Sequence, residues 1–198
     1  MQLPTEEGRP ELPPRWIPNA GTVGMVVFDA NCLFSKHARH LLLGFSVYGI
    51  VLGRWSRELL AETSASLARQ LRGDSLEDLG SWLKHETDLV RDGLVEGHQR
   101  WCGRITLPDA ADVHVVAAAI ECGATIIATE NLKDFPESVL ASFGMEAERP
   151  DALAVRCIDA NPVLATRVVM DHPNPAVFLA HLGRSLPRAA ALLADLLG

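Results

Sequence analysis

LPDAADVHVVAAAIECGATIIATENLKDFP, residues Leu107 to Pro136, decides the fold. Within about thirty residues it reads as loop, helix start, apolar helix, buried strand and polar turn, one segment of βαβ size. Asp109 after Pro108 suits an N-cap, Asp112 falls three residues on, and both carboxylates favour the positive end of a helix dipole. The helix is expected over Val113 to Cys122, alanine-rich and apolar on nearly every side, as a helix pressed closely against a sheet would be. Gly123 is a natural stop, and Ala124 to Ala128 follows as a short apolar run suited to a buried parallel strand. Thr129-Glu130-Asn131 then lies just past a strand's carboxyl end, where open α/β sheets place their ligand sites, with Asp134 in the same turn. Taken singly, these residues read first as structure: Asp112 as a cap, Asn131 and Asp134 as turn formers. Only further acidic groups converging on the same place would reverse that.

The chain around this stretch has 198 residues, 48% of them hydrophobic, enough for one domain with a substantial core plus an extension. Cys32, Cys102, Cys122 and Cys157 are scattered without a CxxC pair, which signals neither a zinc cluster nor a disulfide framework and suits a reducing cytosol. The proline-rich, acidic beginning is unlike a signal peptide. The longest nearly apolar run, Leu41 to Gly53, is too short to span a bilayer, so no membrane segment is expected. A net charge of -7 argues against nonspecific coating of nucleic acid, which rests on many cationic contacts with phosphate, but not against a nuclease. Between Asp29 and Glu58 lies a local basic strip with Lys36, Arg39, Arg54 and Arg57 beside His37 and His40; solvated helix faces explain it equally well.

Residues 1–22 hold five prolines and read as a flexible arm, with Trp16 and Ile17 as its anchors to the body. Val23 to Phe28 has the length and residues of a strand and ends abruptly in Asp29-Ala30-Asn31, which puts a carboxylate at a strand's C-terminal edge. A helix from about Leu33 to Ser46, a strand over Tyr48 to Leu52 and a helix opening at Trp55-Ser56 follow. On that helix Glu62 lies nearer the apolar stripe than Glu58 and is the better site candidate. Asp74 to Glu96 carries seven acidic residues with Leu76, Leu79 and Leu83 at helical spacing, a solvated acidic face. Arg104 to Leu107 reads as a further short strand, 136–143 as a short helix and Met145 to Ala147 as an edge strand. Beyond 150 come four helices, near 151–160, 162–171, 175–184 and 187–197, separated by Asn161-Pro162, Pro173-Asn174-Pro175 and Pro187. They form a helical extension that either packs on the sheet or presents an apolar surface to a partner.

In one doubly wound sheet, Asp29, Asp112 and the Asn131 to Asp134 turn come to one edge, with Glu62 supplied from the second helix. Clustered carboxylates need raised pKa values or a bound cation. An all-oxygen set favours Mg²⁺ or Mn²⁺ over zinc, and such ions suit in-line hydrolysis of a phosphodiester.

VVFDANCL, WSRELLAET, DVHVVAAAI and IIATENLKDFP resemble, in order and spacing, the PIN-domain nucleases, which include the VapC-type toxins of bacterial toxin–antitoxin pairs. The resemblance covers about residues 24–150. It implies a three-layer α/β/α sandwich with a central parallel sheet (residues 23–150), to which the helical extension 151–198 is added. It also implies Mg²⁺ or Mn²⁺ dependence, endonucleolytic cleavage of RNA in the cytoplasm, a small antitoxin partner and a homodimer. On the family's pattern, Asp29, Glu62 and Asp112 occupy the first three acidic positions, with Asn31 supporting the first. At the fourth, Asn131 stands where many members carry Asp, and Asp134 is the residue able to take over; the metal set so implied is Asp29, Asp112, Asn131 and Asp134. Thr129 is implied to hold a water or phosphate oxygen, and Lys133, Arg54 and Arg57 to contact the RNA backbone. A degenerate domain that binds RNA or protein without cutting is the alternative, kept open by Asn131. A haloacid-dehalogenase-like phosphatase would need Asp where Asn31 stands, and a receiver would need an acceptor Asp and a distant Lys that find no convincing pair.

Overall fold

In the computed structural model, which describes residues 20–70 and 83–198, four short runs pair as an all-parallel sheet. They are β1 (Met25–Phe28), β2 (Leu52–Arg54), β3 (Ile126–Ala128) and β4 (Glu146–Glu148), in the order β2-β1-β3-β4. The two central strands are nearly continuous apolar residues because both of their faces are covered. Val26, Val27, Phe28, Ile127 and Ala128 are fully buried. The helices are α1 (Lys36–Val47), α2 (Arg57–Gln70), α3 (Gln99–Cys102), α4 (Val113–Cys122), α5 (Glu137–Leu140), α6 (Pro150–Ala160), α7 (Pro162–Met170), α8 (Pro175–Leu182) and α9 (Pro187–Leu197). Residues 83–88 are also helical. The chain leaves β1 toward β2 and then crosses back to β3, so right-handed crossovers put α1 and α4 on opposite faces of the sheet. The result is an α/β/α sandwich with a helical C-terminal region.

Helix α4 follows its expected bounds. Val115 to Ala119 are fully buried, and the three consecutive alanines let the helix lie close on β1 and β3. Gly123 ends it in the left-handed region at φ 73°, its N–H returning to the Ala119 and Ile120 carbonyls.

Elsewhere packing moved the boundaries. Tyr48 and Gly49 still donate to the Gly44 and Ser46 carbonyls and close α1, so β2 starts at Leu52 instead of Tyr48. Arg104 to Leu107 is not a strand. Ile105 and Leu107 are buried in the core without joining a ladder, and the chain beside Trp55 at the end of β2 is instead Gly93 to Val95. Trp16, Ile17, Leu76 and Leu79, and with them most of the expected arm and part of the acidic amphipathic stretch, lie outside the described residues.

Every tail helix carries Pro in its first turn, where the missing N–H costs nothing, and Asn161 and Asn174 cap α7 and α8 by accepting from Leu164 and Val177 at 3.1 and 3.2 Å. The first three of these helices pack on α1 and the fourth packs on the other three, and Leu153, Val168, Phe178 and Leu193 belong to the same continuous core as the sheet. Fully buried Phe178 sits among the rings of His37, His40 and His172, with centroids 5.8, 5.2 and 4.9 Å away. The extension therefore completes the body. No helix among the described residues is long and apolar enough to cross a membrane.

Candidate active site at the carboxyl edge of the sheet

The register of β1 against β3 builds the site. Phe28 faces Ala128, so the residues that follow, Asp29 and Thr129, emerge side by side at the point where the strand order reverses. Asp29 donates its N–H to the Ala128 carbonyl at 3.0 Å and is only 6% exposed. Its Oδ1 accepts from the Ala30 N–H at 2.7 Å; Oδ2 accepts from Thr129 Oγ1 at 2.7 Å and from Asn31 Nδ2. Asn31 Nδ2 also reaches Thr129 Oγ1 at 3.2 Å, and Asn31 Oδ1 accepts from the Glu130 N–H at 3.1 Å. Burial raises the Asp29 pKa above its ordinary value, opposed by the hydrogen bonds from Thr129, Ala30 and Asn31.

Asp112 arrives from the opposite side. Asp109 takes the capping role, accepting from the Ala111 N–H at 2.9 Å in a short 3-10 turn. Asp112, at the start of α4, makes no side-chain cap bond, so its carboxylate is left for the cleft. Its pKa is pushed up to about 6, first by burial and then by Asp29, Asp109 and Asp134, with His114 acting the other way. Asp29, Glu62, Asp112 and Asn131 line one cleft of about 540 Å³ with Asn31, Phe34, Ser66 and Arg69. Glu58 turns elsewhere, accepting from Gln99 at 2.9 Å. Asp134 does not reach the cleft wall. Its carboxylate accepts from the Asn131 side-chain amide, and it influences Asp112 electrostatically.

The other expected contacts are distributed differently. Thr129 is fully buried and its hydroxyl holds Asp29, so it stands beneath the cleft, where substrate cannot touch it. Arg54 donates to its own strand's Gly53 carbonyl at 2.9 Å. Arg57 pairs with Glu96 at 3.0 Å and lines a separate cleft with Trp55 and Lys84. Lys133 is exposed in the turn after β3 but does not line the acidic cleft. The basic strip is also broken up, because Arg39 is fully buried, paired with Glu86 at 2.6 Å and donating to the Leu33 carbonyl.

Two contributors were not legible beforehand. His114 Nε2 lies 3.0 Å from Glu62 Oε1 and tethers that carboxylate over the cleft. Arg69 lies one helical face along from Glu62. The spacing 62, 66, 69 on α2 was the available signal, and it needed the knowledge of which face looks at the cleft.

The donor chemistry suits a hard divalent cation: Asp29, Asp112 and Asn131 bring side-chain oxygens to the cleft, with Asp134 behind them in the adjoining turn, and the Asp112 carboxyl is raised first by burial and then by its acidic neighbours. As they stand, no three His, Cys, Asp or Glu side chains among the described residues gather closely enough to hold a metal ion.

Over 88 residues, 40% of this chain, the sequence is 33% identical to a Mycobacterium tuberculosis (strain ATCC 25618 / H37Rv) protein whose name, ribonuclease VapC50, is itself provisional. The chain is similar to a VapC-type ribonuclease. It spans about half, 52%, of that relative's length. No protein-family profile and no solved structure matches the chain.

Proposed function

We propose that this protein is a divalent-metal-dependent endoribonuclease of the PIN-domain type, acting in the cytoplasm as the toxin of a toxin–antitoxin pair. The observation that carries the reading is the meeting of Asp29, Asp112 and Glu62, from three separate elements, in one cleft at the sheet's switch point. The similarity to a protein named as a ribonuclease supports it from a second direction.

Asp29 and Asp112, with Asn131 and Asp134 in the adjoining turn, are the residues to hold Mg²⁺ or Mn²⁺. When bound, the ion supplies activation of water and neutralisation of phosphate charge. The chain's own part is preorganisation. Three hydrogen bonds fix the Asp29 carboxylate before any substrate arrives, and His114 keeps Glu62 at the mouth, where it orients the attacking water. A homodimer and a small antitoxin whose residues enter the same cleft belong to this reading.

Purified protein incubated with total cellular RNA and Mg²⁺ or Mn²⁺ is expected to give discrete products that vanish with EDTA, with Asp29→Asn and with Asp112→Asn. Well-folded, antitoxin-free protein that leaves RNA intact would favour a noncatalytic RNA- or protein-binding module. The observation that favours this second reading is Asn131, an amide engaged with Asp134 at the fourth acidic position.

A further inference from the structure

Resting on the ribonuclease reading, we infer that Arg69 is the residue that grips substrate phosphate at the mouth of the acidic cleft. Glu62, Ser66 and Arg69 stand at i, i+4 and i+7 of α2 and all line that cleft. They share one helix face, with Arg69 about 10 Å along the axis from Glu62. The cleft's other charged side chains, Asp29, Glu62 and Asp112, are acidic. A polyanionic strand entering among these carboxylates needs a cation to anchor it. The three cations the sequence suggested face elsewhere or are engaged, whereas Arg69 is exposed on the cleft wall.

Its contacts among the described residues leave the charge available. Arg69 Nη2 donates to Ser66 Oγ at 2.8 Å, which aims the guanidinium without neutralising it, and no ion pair to Arg69 occurs among the described residues. Arg69 is exposed whereas Asp29 is buried at the other end of the same lining, so Arg69 stands at the rim. A planar guanidinium there can take two oxygens of one phosphate in a fork that an ammonium cannot reproduce. Arg69 and Glu62 would thus define the strand's path along α2, with the cut bond between Arg69 and the buried Asp29.

The test is fluorescence-anisotropy binding of a labelled single-stranded RNA across a salt series, using Asp29→Asn protein and, in parallel, wild-type protein in EDTA. Arg69→Ala is expected to raise Kd roughly tenfold in both backgrounds. It should also lower the slope of log affinity against log salt by about 0.7, the signature of one lost phosphate contact on a single strand. Arg69→Lys should restore the salt slope but only part of the affinity. Binding that is strong and indifferent to Arg69 would overturn this assignment and leave the ribonuclease reading standing. Absence of RNA binding by every form at low salt would overturn both.

Discussion

Asp112 carries a charge that its surroundings resist. Its carboxyl sits at about 6 against an ordinary 3.8, because burial and the Asp29, Asp109 and Asp134 charges disfavour ionisation. The folded pKa is the higher one, so the contribution to stability is whole below 3.8 and is lost as pH rises through about 6. A shift of that size is worth about 3 kcal/mol by linkage, and solvent screening at a carboxyl that is only partly buried reduces it to roughly 1 kcal/mol. Asp112→Asn is therefore expected to stabilise the protein by about 1 kcal/mol at pH 7.5 in EDTA and by nothing at pH 4, read from urea unfolding. Mg²⁺ should raise the wild-type midpoint more than that of the variant. Equal stability differences at the two pH values would sink this account of the acidic edge. At this scale the sequence shows Asp29, Asp112 and Asn131, each tied to a strand end or helix start, and Glu62, tied to the edge of a helix's apolar stripe, features that local pattern reveals. It cannot show that Thr129 lies beneath Asp29 or that His114 reaches Glu62, because those contacts depend on how helices and strands rotate against one another.

At the scale of elements, two close approaches do most of the positioning. One is the β1–β3 register: a slip of one residue would part Asp29 from Thr129 and set each buried side chain of β1 against the opposite layer of helices. The other is α1 against α7. A Cβ built on Gly44 would lie 2.4 Å from Val168 Cγ1. Alanine in a helix interior is favoured over glycine by about 1 kcal/mol, but a collision with a well-packed side chain costs roughly 1–3 kcal/mol. The collision should win, and Gly44→Ala is expected to lower stability by about 1 kcal/mol or more in chemical denaturation. In the Gly44→Ala, Val168→Ala double variant the colliding methyls are gone, so the two effects should fall short of additivity by about 1 kcal/mol. Simple addition would mean that the helices do not meet as described. Periodicity announced both elements, and four prolines announced the tail helices. Neither could announce this crossing, whose partners are more than a hundred residues apart.

For the whole molecule, the decisive fact is that the tail and the sheet share one core. Ser35 meets Ser185 at 3.1 Å, Tyr48 meets Asp171, and the α1 histidines close over Phe178. Deleting 151–198 should leave a remnant that aggregates or unfolds without a cooperative transition, while the full chain unfolds in a single step under calorimetry. A stable, cooperatively folding 1–150 fragment would show the extension to be an independent unit. The sequence by itself determined the parallel sheet, the acids at its carboxyl edge and most of the order of helices and strands, though not that Arg104 to Leu107 stays outside the ladder. Those features rest on local patterns of apolar residues, caps and breakers, which the chain carries over short distances. Tertiary structure alone decided which acids converge, that Arg39 is buried against Glu86 while Arg69 faces the cleft, and that the tail completes the core. Those outcomes rest on contacts between residues distant in sequence, whose energies exist only once the layers have packed.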